Sequence, residues 1–321
     1  MGSRRYLLSK TLQAVVTLWF VLTFNFVLFH LLPGDPVSTL AKSEKLAPAD
    51  VERLQHELGL DLPLPSQYLV YMRETLTGNL GTSLSTAQDV KDMIGVRVLP
   101  TVLLVGLGTL LATYFGLMIG IRGGWKRGSR FDTNSQYGSL ILYSMPEGWL
   151  GMLLLLVFSG WLHWFPAGGY TTGGLTGLTR WVDILDHLFL PLLTLTLGYI
   201  GGYAIVMRSA MIDTTHEDFV QTARAKGAPE RRIRKRHVVP NAFLPAFTLI
   251  FLSFGYVLGG AIVIESVFSW PGLGRLTYDA INSLDYPVIQ AVFLIISAAV
   301  ILANLVADLT YGYLDPRIKN A

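Results

Sequence analysis

The side chains that make or break bonds are present in this chain, but not in working patterns. No lysine follows a glycine, so there is no G-K-[ST] loop to cradle a nucleotide's phosphates. The metalloprotease string H-E-x-x-H and the nucleophile elbow G-x-S-x-G are both absent. His30, His56, His163, His187, His216 and His237 are scattered, with no pair at metal-ligand spacing. There is no cysteine, which excludes disulfides, thiolate metal sites and cysteine nucleophiles. The expectation is a chain that holds no metal and does not itself hydrolyse ATP. What remains is polar chemistry in unusual places. One group lies in the loop Asp213–Pro245, with Glu217, Asp218, Phe219, Ala223, Arg224, Lys226 and Gly227 as candidate contacts for a partner. A second is Glu265, Asn304 and Asp308, each within or at the end of an apolar stretch. A polar residue at membrane depth is a functional candidate by default. Asn304 and Asp308 could equally bond neighbouring helices or sit at the inner interface. Glu265 could instead lie in the interface, capping the short helix before Trp270-Pro271. Asn25 reads as a packing residue.

These residues sit in an apolar frame. Of 321 residues, 51% are hydrophobic and 15% charged, and the mean hydropathy is +0.46. Soluble domains carry about 25% charged residues, so a membrane is the natural solvent for this chain. Six stretches approach the roughly 20 apolar residues that a spanning helix needs. They are Thr11–Leu32, Val98–Ile121, Tyr137–Ser159, Leu188–Met207, Phe247–Ile264 and Val288–Leu309. The first follows Arg4, Arg5 and Lys10, as a signal peptide would. Its apolar run is too long for one, and no small-residue cleavage site follows, so it reads as a retained anchor. The expected fold class is an all-α membrane protein with six transmembrane helices.

Basic residues crowd one side of this frame. The N-terminus, the loop with Arg122, Lys126, Arg127 and Arg130, the loop Arg208–Arg236 and the tail (Arg317, Lys319) hold 17 of the 25. That side should be cytoplasmic, with both termini inside, and six spans satisfy the parity. The expected organisation is residues 1–32 as tail and first span, 33–97 as a small extracytoplasmic subdomain, and 98–321 as a five-helix core with a cytoplasmic loop at 213–245. Within 33–97, the run Leu46–Leu60 reads as a helix with Leu54 and Leu58 on one face and a stop at Gly59. A second outer loop, Gly160–His187, carries Trp161, Trp164, Tyr170 and Trp181, which suit an interfacial belt.

The basic loop has its own helical grammar. Thr214 or Thr215 could cap a helix, with Glu217 or Asp218 completing a capping box. Phe219, Ala223 and Lys226 would share a face. Gly227 would end the helix, and Pro229 would open the next one, which carries Arg231, Arg232, Arg234, Lys235 and Arg236. Small residues at Ala223, Ala225 and Gly227 leave room for a partner. On charge alone the loop could be only a topology signal. A nucleic-acid patch fits poorly, because the basic run is wedged between two spans and lacks interleaved aromatics. Anionic headgroups suit Arg231–Arg236 better, so the expectation is a lipid membrane and no nucleic acid.

Residue order narrows the choice. Gln221-Thr222-Ala223, then Gly227, then Val239-Pro240 resembles the EAA loop of ABC-importer permeases. The string T-A-R-A-K-G, with His237 and N-A-F-L-P, is similar to the dipeptide/oligopeptide branch. Leu31-Leu-Pro-Gly-Asp-Pro-Val37 and Gly78-Asn-Leu-Gly-Thr-Ser83 resemble the first extracytoplasmic segment of that branch's B-type subunit. Glu265-Ser-Val-Phe-Ser-Trp-Pro-Gly-Leu-Gly-Arg275, Asp285-Tyr-Pro-Val-Ile-Gln290 and Asp315-Pro-Arg-Ile318 follow in the same order. The departures are Gln-Thr for Glu-Ala in the EAA box, and Pro240 within the second half of the loop.

The resemblance implies a type I importer permease fold in a bacterial or archaeal cytoplasmic membrane. It implies as partners a similar second permease subunit, two nucleotide-binding subunits or one fused pair, and an extracytoplasmic binding protein. ATP and Mg would be bound by the ATPase partners. The substrate would be a dipeptide or oligopeptide, with nickel and glutathione as alternatives. The rival classes are a self-powered secondary transporter or channel and an intramembrane enzyme. Neither has its expected signature, whether charged relays, repeated broken helices, a nucleophile or a metal pattern.

Overall fold

The computed structural model describes residues 3–31, 56 and 61–314. The expected helix at Leu46–Leu60 and the blocks at 32–37 and 315–318 lie outside the described residues. In chain order the helices are α1 (Ser3–Leu31), α2 (Leu64–Thr77), α3 (Val90–Trp125), α4 (Arg130–Ser144), α5 (Glu147–Leu154), α6 (Gly177–Thr215), α7 (Asp218–Ala225), α8 (Glu230–Ile233), α9 (Val239–Val267), α10 (Leu273–Asn282) and α11 (Tyr286–Leu314). Wider π-helical turns extend α5 over Leu155–Trp161 and α8 over Arg234–Val238. Among the described residues, extended pairing is limited to one antiparallel bridge between Thr82 and Asp89. The protein is thus all-helical, as expected.

Among the described residues, four helices are individually long and apolar enough to cross a bilayer: Tyr6–His30 within α1, then α3, α6 and, within α11, Tyr286–Thr310. The expected fifth span falls inside the 29-residue α9. The expected third span, Tyr137–Ser159, is not one helix. It is the pair Arg130–Ser144 and Glu147–Trp161, bent by 101°. The bend has a local cause. Met145 precedes Pro146, and the proline ring pushes the residue before it out of the α region. Met145 is extended, at φ −78° and ψ 130°. The outer loop is also shorter than expected. Helix α6 begins at Gly177 and runs 39 residues, roughly 58 Å at 1.5 Å per residue.

The chain divides into two compact units. The first comprises Met1–Leu99 and Leu276–Ala321. In it α1 packs along α11, a pairing of the two ends that the linear division from sequence did not anticipate. Asn25, 6% exposed, donates to the Gln290 carbonyl at 3.1 Å. Lys10 pairs with Asp308 at 3.0 Å. The Tyr6 hydroxyl donates to the Asp308 carbonyl. Helix α2 rests on α1 through Tyr68 and Tyr71, which meet the Phe26 ring.

The second unit is Pro100–Arg275. Its core on one side gathers Leu104, Ile184, Leu188, Leu195, Ile264, Phe268 and Trp270. The Trp270 indole N–H donates to the Pro100 carbonyl at 3.0 Å, and Tyr170 meets the ring edge-on. Of the four outer-loop aromatics, Trp161, Trp164 and Trp181 are exposed, while Tyr170 turns inward. Helix α6 approaches α3 so closely that any Cβ at Gly116, Gly120 or Gly124 would strike its backbone and side chains. Such small-residue stripes let two membrane helices touch.

Candidate functional site

The loop between α6 and α9 folds into a small helical projection. Helix α7, Asp218–Ala225, is its exposed element. It does not begin as expected. Thr214 and Thr215 end α6 instead, their hydroxyls turned back onto the Ala210 and Ile212 carbonyls. Both belong to α6, whose own last turn claims the hydroxyls before they can cap anything. Glu217 is the N-cap residue of α7, without a side-chain cap bond. The exit is as expected. Gly227 takes φ +74°, the left-handed region that favours glycine. Its N–H reaches the Arg224 carbonyl, and the Ala228 N–H reaches the Ala223 carbonyl. Pro229 sits just before α8 as its N-cap residue.

Val220 is the buried side chain of α7, and Ile233 and Val238 are buried in the same cluster further along the loop. Val220 is fully buried among Met207, Met211, Ile233, Val238, Ala242 and Ala246. Sequence reading passed over it, because the polar residues around it hide one inward position in an eight-residue helix. Ala223 also packs against this cluster, so it is less available to a partner than its spacing from Phe219 suggests. Glu217, Asp218, Phe219, Arg224, Lys226 and Gly227 are exposed. Among the described residues, nothing beyond its own chain neighbours lies within 4 Å of where a Gly227 Cβ would stand. Beyond the corner, Arg231, Arg232, Lys235 and Arg236 are exposed. Arg224 pairs with Glu230 at 3.2 Å, and the Arg234 guanidinium lies 5.9 Å from the Trp125 ring centre. Pro240 stands in the first turn of α9, directly after the wider turns at Arg234–Val238.

The three polar residues at span ends have separate surroundings. Glu265 is 0% exposed. Its carboxyl accepts from the Thr101 hydroxyl at 2.7 Å and from the Arg275 N–H at 2.9 Å. The Leu273 N–H goes to the Thr101 hydroxyl at 2.7 Å. Glu265 and Thr101 together therefore cap α10. A capping role was expected for the helix before Trp270-Pro271, whereas the helix capped here is the one after it. The glycine at 272 follows from this, because the Glu265 carboxyl occupies the space any Cβ there would need. Asp308 holds Lys10, and Asn304 is exposed; both lie on α11.

Two buried acids escaped the sequence reading. Asp285 is 1% exposed and receives the Ser83 and Ser85 hydroxyls at 2.5 and 2.7 Å, with the Leu84 and Ser85 N–H groups at 3.1 and 3.2 Å. Two of the quoted blocks, Gly78–Ser83 and Asp285–Gln290, thus meet through this carboxylate. Asp132 accepts the Arg208 fork at 2.5 and 2.9 Å and the Gly128 N–H at 2.9 Å. It binds the start of α4 to α6.

Comparison with known proteins agrees with this architecture. Residues 112–320 match the family described as binding-protein-dependent transport system inner membrane component. Residues 3–104 match its companion N-terminal family. The chain is 38% identical to the di/tripeptide transport system permease protein DppB of Pseudomonas aeruginosa, covering 98% of both chains. It is also 38% identical to the glutathione transport system permease protein GsiC of Pectobacterium atrosepticum, again over 98% of both. A Brucella suis relative, named provisionally as a peptide permease, is 40% identical over 98% of this chain and 99% of its own. With a multi-pass helical frame, an exposed helix between two long apolar ones, and family matches over nearly the whole length, this chain belongs to the inner-membrane components of binding-protein-dependent transport systems.

Proposed function

We propose that this chain is the membrane-spanning subunit of an ATP-driven importer of short peptides, and that α7 is where the motor grips it. The observation that carries this is α7 itself. It is an exposed eight-residue helix with a glycine corner, set between the long apolar helices α6 and α9 and held by one buried valine. A topology signal needs charge but no such architecture. Phe219 fills a groove of the ATPase partner, while Glu217, Asp218, Arg224 and Lys226 add polar contacts around the open space at Gly227. Nucleotide and Mg are bound by that partner. A second permease subunit completes the pathway, and an extracytoplasmic binding protein delivers the substrate. Both termini and α7 face the cytoplasm, as the distribution of Lys and Arg suggests.

The mechanism is a biased two-state switch. ATP closes the motor dimer and carries α7 inward. Helix α6 follows α7, because only His216 and Glu217 separate them, and the spans turn from inward- to outward-facing. A ligand drives such a switch only by binding the two states differently. Peptides are the substrate favoured by the relatives' names. Glutathione, itself a small peptide, stands beside them because the relative named for it is equally similar. Glu265 acts as a cap for α10 rather than as a pathway residue.

Purification of this chain from its native membrane should recover ATPase subunits, and binding protein loaded with a di- or tripeptide should stimulate their ATP hydrolysis. Recovery without any nucleotide-binding partner, or uptake by this chain reconstituted alone, would overturn the importer reading.

A further inference from the structure

Three helices of the second unit, α3, α4 and α6, enclose a recess of about 180 Å³. Part of its wall is polar, made by Ser135, Gln136 and Ser139 of α4 and by Arg208 and Ser209 of α6. Another part is apolar, with Ile119, Leu140 and Ile205. Its depth follows from the chain. The expected spans Val98–Ile121 and Leu188–Met207 both end at this level, so the recess lies where hydrocarbon gives way to headgroups.

Hydrogen bonding in this wall is incomplete. A guanidinium carries five N–H donors, and Arg208 directs its Nε and one Nη to Asp132. Its remaining donors meet no acceptor among the described residues. Ser139 is 7% exposed, and its hydroxyl makes no hydrogen bond among the described residues. The same holds for the Gln136 amide and the Ser209 hydroxyl. Asp132 is already satisfied by Arg208 and the Gly128 N–H. The surroundings are basic. Between residues 120 and 139, Arg122, Lys126, Arg127 and Arg130 face a single acid, Asp132. All four are exposed. The lysine and arginine ion pairs among the described residues are Lys10–Asp308, Arg208–Asp132 and Arg224–Glu230, and the four are in none of them.

We infer that this recess holds the headgroup phosphate of an anionic phospholipid from the cytoplasmic leaflet. The inference rests on the membrane orientation proposed above. A phosphodiester offers acceptors and a negative charge, which the spare Arg208 donors, the two serine hydroxyls and the Gln136 amide can meet. Arginine suits phosphate through such charge-assisted bonds. A free anion would use only the polar wall. Ile119, Leu140 and Ile205 add an apolar wall that fits the start of an acyl chain, which favours a lipid. Basic pockets between spanning helices on the cytoplasmic side take headgroups of this kind. Bound there, the lipid bridges α3, α4 and α6 close to where α6 leads into α7.

The test titrates the purified transporter complex in detergent with phosphatidylglycerol, phosphatidylcholine or glycerol phosphate, and counts bound molecules by native mass spectrometry. Phosphatidylcholine carries the same phosphate but adds a cation that the basic residues repel. The wild type should therefore hold phosphatidylglycerol about tenfold more tightly. Gln136→Glu sets a carboxylate in the polar wall and should bring the two lipids to near parity. Arg232→Gln lowers the net charge equally on the exposed face of α8 and should keep most of the preference. Should Gln136→Glu fail to assemble, Ser209→Asp places the same charge on α6 and should act alike. Equal losses in the recess and α8 variants would show attraction by the basic surface at large and overturn the site. So would a wild type without preference. Glycerol phosphate bound as tightly as the lipid would assign the recess to a soluble anion and overturn the lipid. Thiol labelling that puts α7 outside would overturn the orientation, and with it the leaflet. The detergent measurement has no sides, so it judges the recess separately.

Discussion

At the residue scale, two positions matter because of what no other side chain could do there. Gly227 has a left-handed backbone and open space around it. A valine there would strain the chain by about 1–2 kcal/mol and would intrude on any partner surface. Gly227→Val should therefore leave the protein in the membrane at normal abundance while sharply lowering substrate moved per ATP hydrolysed. Normal coupling would show that α7 is not the grip. Asp285 concentrates four hydrogen bonds on one buried carboxyl. Asp285→Ala strands several of those donors at about 1–3 kcal/mol each, so the purified subunit should melt several degrees lower, with Asp285→Asn between the two. The buried hydroxyls and acids were the least legible residues in the sequence. An aspartate reads the same whether it faces water or Ser83, and its partners lie about two hundred positions away in the chain.

Elements carry the coupling. Val220 contributes roughly 1.5–3 kcal/mol of burial, with Ala223 packed against the same cluster. Val220→Asp would bury an uncompensated charge, so α7 should detach. The expected outcome is protease cleavage between residues 213 and 229 and loss of ATPase recovery on purification, with the long helices intact. The fork between Asp132 and Arg208 ties α4 to the end of α6, ten residues before α7 begins. Its two members differ in exposure, 3% against 22% for their side chains. Arg208→Ala leaves a buried carboxylate alone, whereas Asp132→Asn leaves a guanidinium that still reaches solvent. Removing one member of a buried pair costs about 3–5 kcal/mol, so Arg208→Ala should lower the melting temperature more than Asp132→Asn does. Equal effects would mean that the pair contributes little. The existence of most long helices was readable from apolar run length alone. The bend at Ser144–Pro146 was not, because hydropathy does not register a change of direction and a proline can also sit inside a continuous helix, as Pro100 and Pro191 do.

On the scale of the whole molecule, the absence of cysteine makes orientation directly measurable. Single substitutions Gln221→Cys and Thr86→Cys need no background removal. A membrane-impermeant thiol reagent should label the first only from the cytoplasmic side and the second only from outside, and the reverse pattern would invert the topology read from the basic residues. Sequence by itself determined the class of molecule. A chain half hydrophobic with few charges must fold in lipid, its Lys and Arg distribution indicates an orientation, and ordered motifs along its length mark the family. These are one-dimensional properties, set by composition, run length and residue order. Tertiary structure alone decided which polar groups meet. It joined α1 to α11 through Asn25 and Lys10, spent Glu265 on the start of α10, anchored α7 by Val220, and set Glu147 directly after a bend. Each of these depends on contacts between residues distant in sequence or on one inward-facing side chain. In a medium without water, such contacts decide which polar residues fasten the fold.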